Sequence, residues 1–262
     1  MVKTMPQSTL HTRVMLEQAQ RWFTSPLGQE LLEIEQRLLD QILPSCHGDL
    51  LVEISPFSTQ FDYERCPITQ QCRLSPLLHP HCPPPALVAE PTALPLYPES
   101  ASVVLLHHLL EFCADPHRTV REAVQTLAPE GRILIIGFNP RSLWGLWQRI
   151  AAHRGSGPWS GHFLTASRME DWLSLLRCQP EGALHDRFGL PLQPRAWSRH
   201  WRGMSQIARQ HHWPIGAIYL LVARKKRAAL IAQPIARRRL RLAAVGTPKL
   251  VMGQVSKSES HE

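Results

Sequence analysis

The chain has 262 residues, 44% of them hydrophobic, with 29 Lys and Arg against 21 Asp and Glu and a formal net charge of +8. That apolar share supports a real core, and the length suits one large domain or two small ones. No run of about 18 consecutive apolar residues occurs, which excludes a transmembrane helix, and six scattered cysteines are too few for a disulfide scaffold.

The N-terminal stretch MVKTMPQSTLHTRVMLEQ lacks the apolar run and small-residue cleavage site of a signal peptide, so a reduced, cytoplasmic chain is expected. Over residues 13–42, Leu16, Phe23, Leu27, Leu31, Ile34, Leu38 and Ile42 recur mostly at three- and four-residue steps, the spacing of a helical face. Ser25-Pro26 divides that helix, because proline suits the first turn of a new one, and Leu43-Pro44 ends it. Residues 49–54 (DLLVEI) read as a buried strand and 68–74 as a weaker one. Eight prolines between Pro76 and Pro98 exclude a helix and any central strand there.

Residues 102–108 (SVVLLHH) are again strand-like. Asp115-Pro116 open a helix reaching about Leu127, with Asp115 as its N-cap. Pro129-Glu130-Gly131 is turn chemistry, and 132–138 (RILIIGF) form another strand. Asn139-Pro140 reads as a turn with Asn139 hydrogen-bonding inside it. Helices are expected over 166–177 and 195–212, and a last strand over 215–223. Tryptophans gather between 144 and 213, and Gly155, Gly157 and Gly161 suggest a mobile insertion over an aromatic-lined cavity suited to an apolar acceptor. Strands alternating with helices predict an α/β architecture with a mainly parallel sheet.

The positive charge is concentrated at one end. Residues 224–262 hold ten basic and two acidic side chains, so residues 1–223 carry equal numbers of each sign. A disordered basic tail is expected there, able to attach electrostatically to nucleic acid or another acidic surface. Cys66, Cys72, His79, His81 and Cys82 lie close together but include no C-x-x-C pair, so no metal site is expected from them.

Residues 90–139 carry the most information. Glu90, Leu94-Pro95-Leu96, the apolar run 103–106, His108-Leu109-Leu110-Glu111, Asp115-Pro116 and Pro129-Glu130-Gly131 follow one another in fixed order. That order resembles the second half of class I S-adenosylmethionine (SAM)-dependent methyltransferases of the small-molecule type. The DPHR, RE and GFNP elements, with Trp22-Phe23 upstream, are most similar to an uncharacterised bacterial branch. The resemblance covers about residues 45–225. It implies a Rossmann-like α/β sandwich with a mostly parallel sheet (45–223), an N-terminal helical cap (1–44) and the basic tail (224–262).

The resemblance also implies SAM as cofactor and an unidentified small-molecule acceptor. It carries the cofactor contacts onto Glu53, Ser55 and Phe57 after the first strand, Glu90, Pro91 and Thr92 on the adenine side, and His107 and His108 at the end of the fourth strand. Catalytic residues are not assigned. The glycine motif is degenerate: Ser55, Phe57 and Thr59 stand where glycines let the backbone approach the cofactor, and Pro56 has no N–H. No Asp or Glu lies between Arg65 and Glu90, so the acid that the resemblance places at the end of the second strand for the ribose is missing or displaced. Two other functions follow from these departures and from the tail: a cofactor-free binding or scaffold module, and an RNA-modifying enzyme tethered by residues 224–262.

Overall fold

The computed structural model describes residues 7–57, 61–77, 86–151, 157–191 and 214–227. Two helices come first, α1 (Gln7–Phe23) and α2 (Pro26–Ile42). Ser25 caps α2 by accepting a hydrogen bond from the Gly28 amide, and Pro26 occupies the first turn, where its missing N–H costs nothing. The strands and helices that follow are β1 (Leu50–Ile54), β2 (Gln70–Ser75), β3 (Ala86–Val88), β4 (Ala101–His107), α3 (Pro116–Thr126), β5 (Leu127–Phe138), α4 (Leu143–Ala151), α5 (Ala166–Leu175), β6 (Cys178–Asp186) and β7 (Ile218–Lys225).

The seven strands form one sheet in the order β3-β2-β1-β4-β5-β7-β6. The first five are parallel; β7 runs antiparallel between β5 and β6. From β1 the chain steps outward to β2 and β3, then returns to the other side of β1 for β4 and β5. Strand order therefore reverses between β1 and β4, and in an open α/β sheet that crevice, beyond the carboxyl ends, is where ligands bind.

Alternate residues of each central strand serve two separate cores. Leu51, Val103, Leu134 and Ile136 face α1 and α2. Val52, Val104, Ile133 and Ile135 face α3 and α5. Both faces are covered, which is why these strands read as unbroken apolar runs. The N-terminal helices share the first core with the sheet: Leu16, Phe23, Leu31 and Leu38 pack in one cluster with Leu51 and Val103.

Several expectations need adjusting. Pro129-Glu130-Gly131 lie within β5, at a register shift opposite Ala101 and Val103, and Glu130 takes a positive φ of 65°. The expected aromatic-lined cavity is a packed cluster instead. Trp144 and Trp159 are buried and meet Trp22 edge-on at 5.9 and 6.0 Å between ring centroids. The last strand continues through Arg224 and Lys225, the first two residues of the expected basic tail, and these two pair with Glu181 and Glu99. The expected helix over 195–212, Trp197, Trp201 and Trp213, and residues 228–262 of the tail lie outside the described residues. Among the described residues no helix is long and apolar enough to cross a membrane.

Candidate active site

At the switch point the chain places a cluster of ionisable side chains that water does not reach. His107 ends β4, and Ser55 follows β1 on the other side of the crevice. His108 comes next with φ of 42°, a left-handed conformation that a non-glycine residue holds only under constraint. Its amide still bonds to the Ile136 carbonyl on β5, at 3.0 Å. From above, α2 lays Glu35 onto both rings. Glu35, His107 and His108 have no exposed surface, and Glu111, three residues further on, is 3% exposed.

One hydrogen-bonded chain links these groups. Ser55 Oγ lies 3.0 Å from His107 Nδ1, and His107 Nε2 lies 3.0 Å from Glu35 Oε2. Glu35 Oε1 is 2.8 Å from His108 Nε2, and His108 Nδ1 is 3.1 Å from Glu111 Oε1. Glu111 Oε1 also accepts from the Phe138 amide at 2.8 Å. Burial pushes the Glu35 carboxyl up, but the charge of His108 and hydrogen bonds from both histidines outweigh it and hold the group at about 2. For His108 burial works downward, and the carboxylates of Glu35 and Glu111 overcome it, raising the ring to about 9. At neutral pH His108 therefore donates from both nitrogens. His107 has Glu35 at Nε2 and Ser55 at Nδ1, with donor and acceptor roles set by its tautomer.

Glu53, at the end of β1, belongs to a second cluster. Its Oε2 accepts from Tyr63 Oη at 2.8 Å and from Arg73 Nε at 3.0 Å. Arg73 is its register partner on β2. Burial still dominates and raises the Glu53 carboxyl, with Arg73 opposing. The Tyr63 hydroxyl is pushed well above its usual value by burial and by Glu53. Phe57 is 3% exposed, wedged 4.6 Å from the Phe23 ring and 5.8 Å from Phe112. Its amide donates to Ser55 Oγ at 3.2 Å. Glu90, Pro91 and Thr92 form the turn after β3. There Glu90 is exposed and accepts from Thr92 Oγ1 at 2.6 Å.

The eight residues expected to touch the cofactor thus divide into three groups. Ser55, His107 and His108 belong to the buried chain. Phe57 packs over it, and Glu53 is held by Tyr63 and Arg73. Glu90, Pro91 and Thr92 stand apart at the sheet edge, two strands from β1. Thr59, His79, His81 and Cys82 lie outside the described residues. SAM needs amides and room after β1, an acid for the ribose at β2, and polar groups on the adenine side. Glu90 and Thr92 are polar groups on the exposed turn after β3. Among the described residues after β1, the Phe57 ring packs against Phe23 and Phe112, and β2 offers no acid, its Arg73 being bound to Glu53. Sequence reading missed Glu35, Arg73, Tyr63 and the part played by Glu111.

A cavity of about 620 Å³ lies between α1, α2 and the segment at 61–62. Gln20, Gln36, Arg37 and Asp62 give it a polar lining, and Phe23 and Phe61 form its aromatic part. Those two rings also cover the cluster, with centroids 5.9 and 4.8 Å from that of His107.

Comparison with known proteins agrees with this architecture. The family model described as a methyltransferase domain matches residues 69–135. The uncharacterised protein YafS of Escherichia coli K12 is 32% identical over 216 residues, which span 82% of this chain and 84% of YafS. Among solved structures, a SAM-dependent methyltransferase of Thermotoga maritima superposes with a TM-score of 0.54 at 15% identity, covering 82% of this chain and 99% of its own. The geranyl diphosphate C-methyltransferase of Streptomyces coelicolor, solved with Mg2+, geranyl diphosphate and S-adenosylhomocysteine, gives 0.53 at 12% identity, covering 86% and 100%. At these identities the structural likeness establishes the fold.

Proposed function

This chain belongs to the class I SAM-dependent methyltransferase family, whose cofactor is SAM, and from that premise we propose that it methylates a small polar acceptor beneath the helical cap formed by α1 and α2. The observation that carries the proposal is the sealed Glu35–His107–His108–Glu111 chain at the switch point. Burying four ionisable groups carries a desolvation cost that well-packed apolar residues would avoid. Such clusters in a ligand crevice are characteristic of functional sites.

SAM supplies an electrophilic methyl group on a sulfonium. This chain's own residues supply position and dryness. Glu90 and Thr92 are the polar pair for the adenine side. The cap, through Phe23 and Glu35, keeps water from the carboxyl ends of β1 and β4. The polar cavity beside Phe23 and Phe61 is suited to holding the acceptor, which points to a small hydrogen-bonding molecule and replaces the apolar acceptor expected from the tryptophans. Loading the cofactor then requires Phe57 and the cap to withdraw from the closed arrangement.

Calorimetric titration with S-adenosylhomocysteine tests this reading. One site is expected, weakened by Glu90→Ala and strengthened by Phe57→Gly, which removes the ring from the approach. No heat at ~1 mM ligand from either the wild type or Phe57→Gly would overturn it. The cofactor-free binding module would then stand in its place. That second reading is favoured by the buried Phe57 ring and by a second strand that ends at Ser75 without an acid.

A further inference from the structure

We propose that Glu35, His107 and His108 form a binding site for one divalent metal ion of the Zn2+ or Fe2+ class. The two imidazoles turn their Nε2 atoms toward the same carboxylate, 3.0 Å and 2.8 Å from its two oxygens. Taking one ligand atom from each residue, all three lie within 4.8 Å of one another. Two imidazoles and a carboxylate are a donor set used by catalytic Zn2+ and by non-haem Fe2+, with further positions left for other ligands. The three come from sites far apart in the chain, one on α2 and two at the end of β4, so no spacing pattern in the sequence announces them.

The surroundings fit a metal as well as the three donors do. Metal-bound histidines hand their second nitrogen to an oxygen that fixes the ring. Here His107 Nδ1 has Ser55 Oγ at 3.0 Å, and His108 Nδ1 has Glu111 Oε1 at 3.1 Å. Glu111 is itself held by the Phe138 amide. With bonds of ~2.0–2.1 Å, neighbouring ligands in tetrahedral coordination stand about 3.3 Å apart. The two imidazole–carboxylate gaps, 3.0 and 2.8 Å, need widen by only a few tenths of an ångström, and all three ligand atoms already stand within 4.8 Å of one another.

Charge points the same way. Glu35 and Glu111 are buried, and among the described residues neither forms an ion pair with Lys or Arg. Two buried carboxylates without a Lys or Arg partner suit a divalent cation between the helical cap and the sheet. The cavity of about 620 Å³ is lined by Phe23 and Phe61, whose rings also pack against His107.

The test needs no cofactor, so its outcome is independent of SAM binding. The untagged full-length chain is stripped with a chelator and titrated with Zn2+ and with Co2+. One equivalent of each is expected, with visible ligand-field bands for Co2+ and no sulfur-to-cobalt charge-transfer band. Ser55→Ala removes an outer partner and weakens Zn2+ binding about 10-fold; Glu35→Gln weakens it further. Cys66→Ser with Cys72→Ser leaves it unchanged. Because Glu35 lies in the core, circular dichroism checks its variant, and the wild-type Co2+ spectrum stands without any variant. Absence of binding at tenfold molar excess of both ions, a thiolate charge-transfer band, or loss of binding in the cysteine variant would overturn the proposal.

Discussion

Glu35 occupies a position where the period of α2 calls for an apolar side chain. It lies four residues after Leu31 and four before Leu39, and all three are fully buried. An acid inside such a stripe is the sequence signal that could have revealed it, and it was passed over because its partners, His107 and His108, are 72 and 73 residues away. Its pairing makes stability depend on pH. Glu35 sits at about 2 against an ordinary 4.5, so its contribution is present above about pH 4.5 and lost as the pH falls through about 2. His108 sits at about 9 against 6.5, so its contribution is complete below about pH 6.5 and lost as the pH rises through about 9. We therefore expect the urea midpoint of the metal-free chain to peak between about pH 4.5 and 6.5 for this pair's share. Glu35→Gln should flatten the alkaline limb. At the neighbouring cluster, Arg73→Ala leaves Glu53 buried without its cation and should cost about 3–5 kcal/mol in chemical denaturation. Tyr63→Phe should cost less, about 1–3 kcal/mol, because Arg73 still satisfies the carboxylate.

At the scale of elements, the helix and strand signals that succeeded were local ones. Ser25-Pro26 and Asp115-Pro116 start helices where capping chemistry says they should, with Ser25 and Asp115 accepting from the amides of Gly28 and Arg118. The runs 50–54, 101–107 and 132–138 are strands because they are apolar on both faces. Strand β6 escaped notice because an edge strand with a bulge at Pro180 and Gly182 shows no clean alternation. Helix α4 was hidden among tryptophans that looked like a cavity lining. The joint between α1 and α2 has a specific weak point: a Cβ on Gly28 would run into the backbone of Trp22 and Phe23. We expect Gly28→Ala to push α1 away from α2, lowering thermal stability and increasing proteolysis within residues 14–42. It should leave α3 and α5, on the opposite face of the sheet, protected from hydrogen exchange.

For the molecule as a whole, topology decides where chemistry can occur. The reversal of strand order between β1 and β4 brings Ser55 beside His107, and the N-terminal helices close over that point. The second half of the family pattern was legible because its residues follow one another along the chain. The closure was not, because Phe57 replaces a glycine in sequence while its packing against Phe23 is a tertiary fact. The net charge of +8 separates in the same way. Arg224 and Lys225 are engaged by Glu181 and Glu99, whereas six basic and two acidic residues lie beyond Arg227. The RNA-tether reading predicts weak RNA binding that falls steeply with salt and is lost when residues 228–262 are removed, measured by filter retention.

The sealed switch point as a cofactor site is tested most directly by hydrogen exchange, read by mass spectrometry with and without ~1 mM S-adenosylhomocysteine. Addition of the ligand should change exchange at the amides of α1 and α2 and at residues 55–57, with a smaller change around Glu90, because loading moves the cap and the Phe57 ring. Unchanged exchange at all of these amides would contradict it.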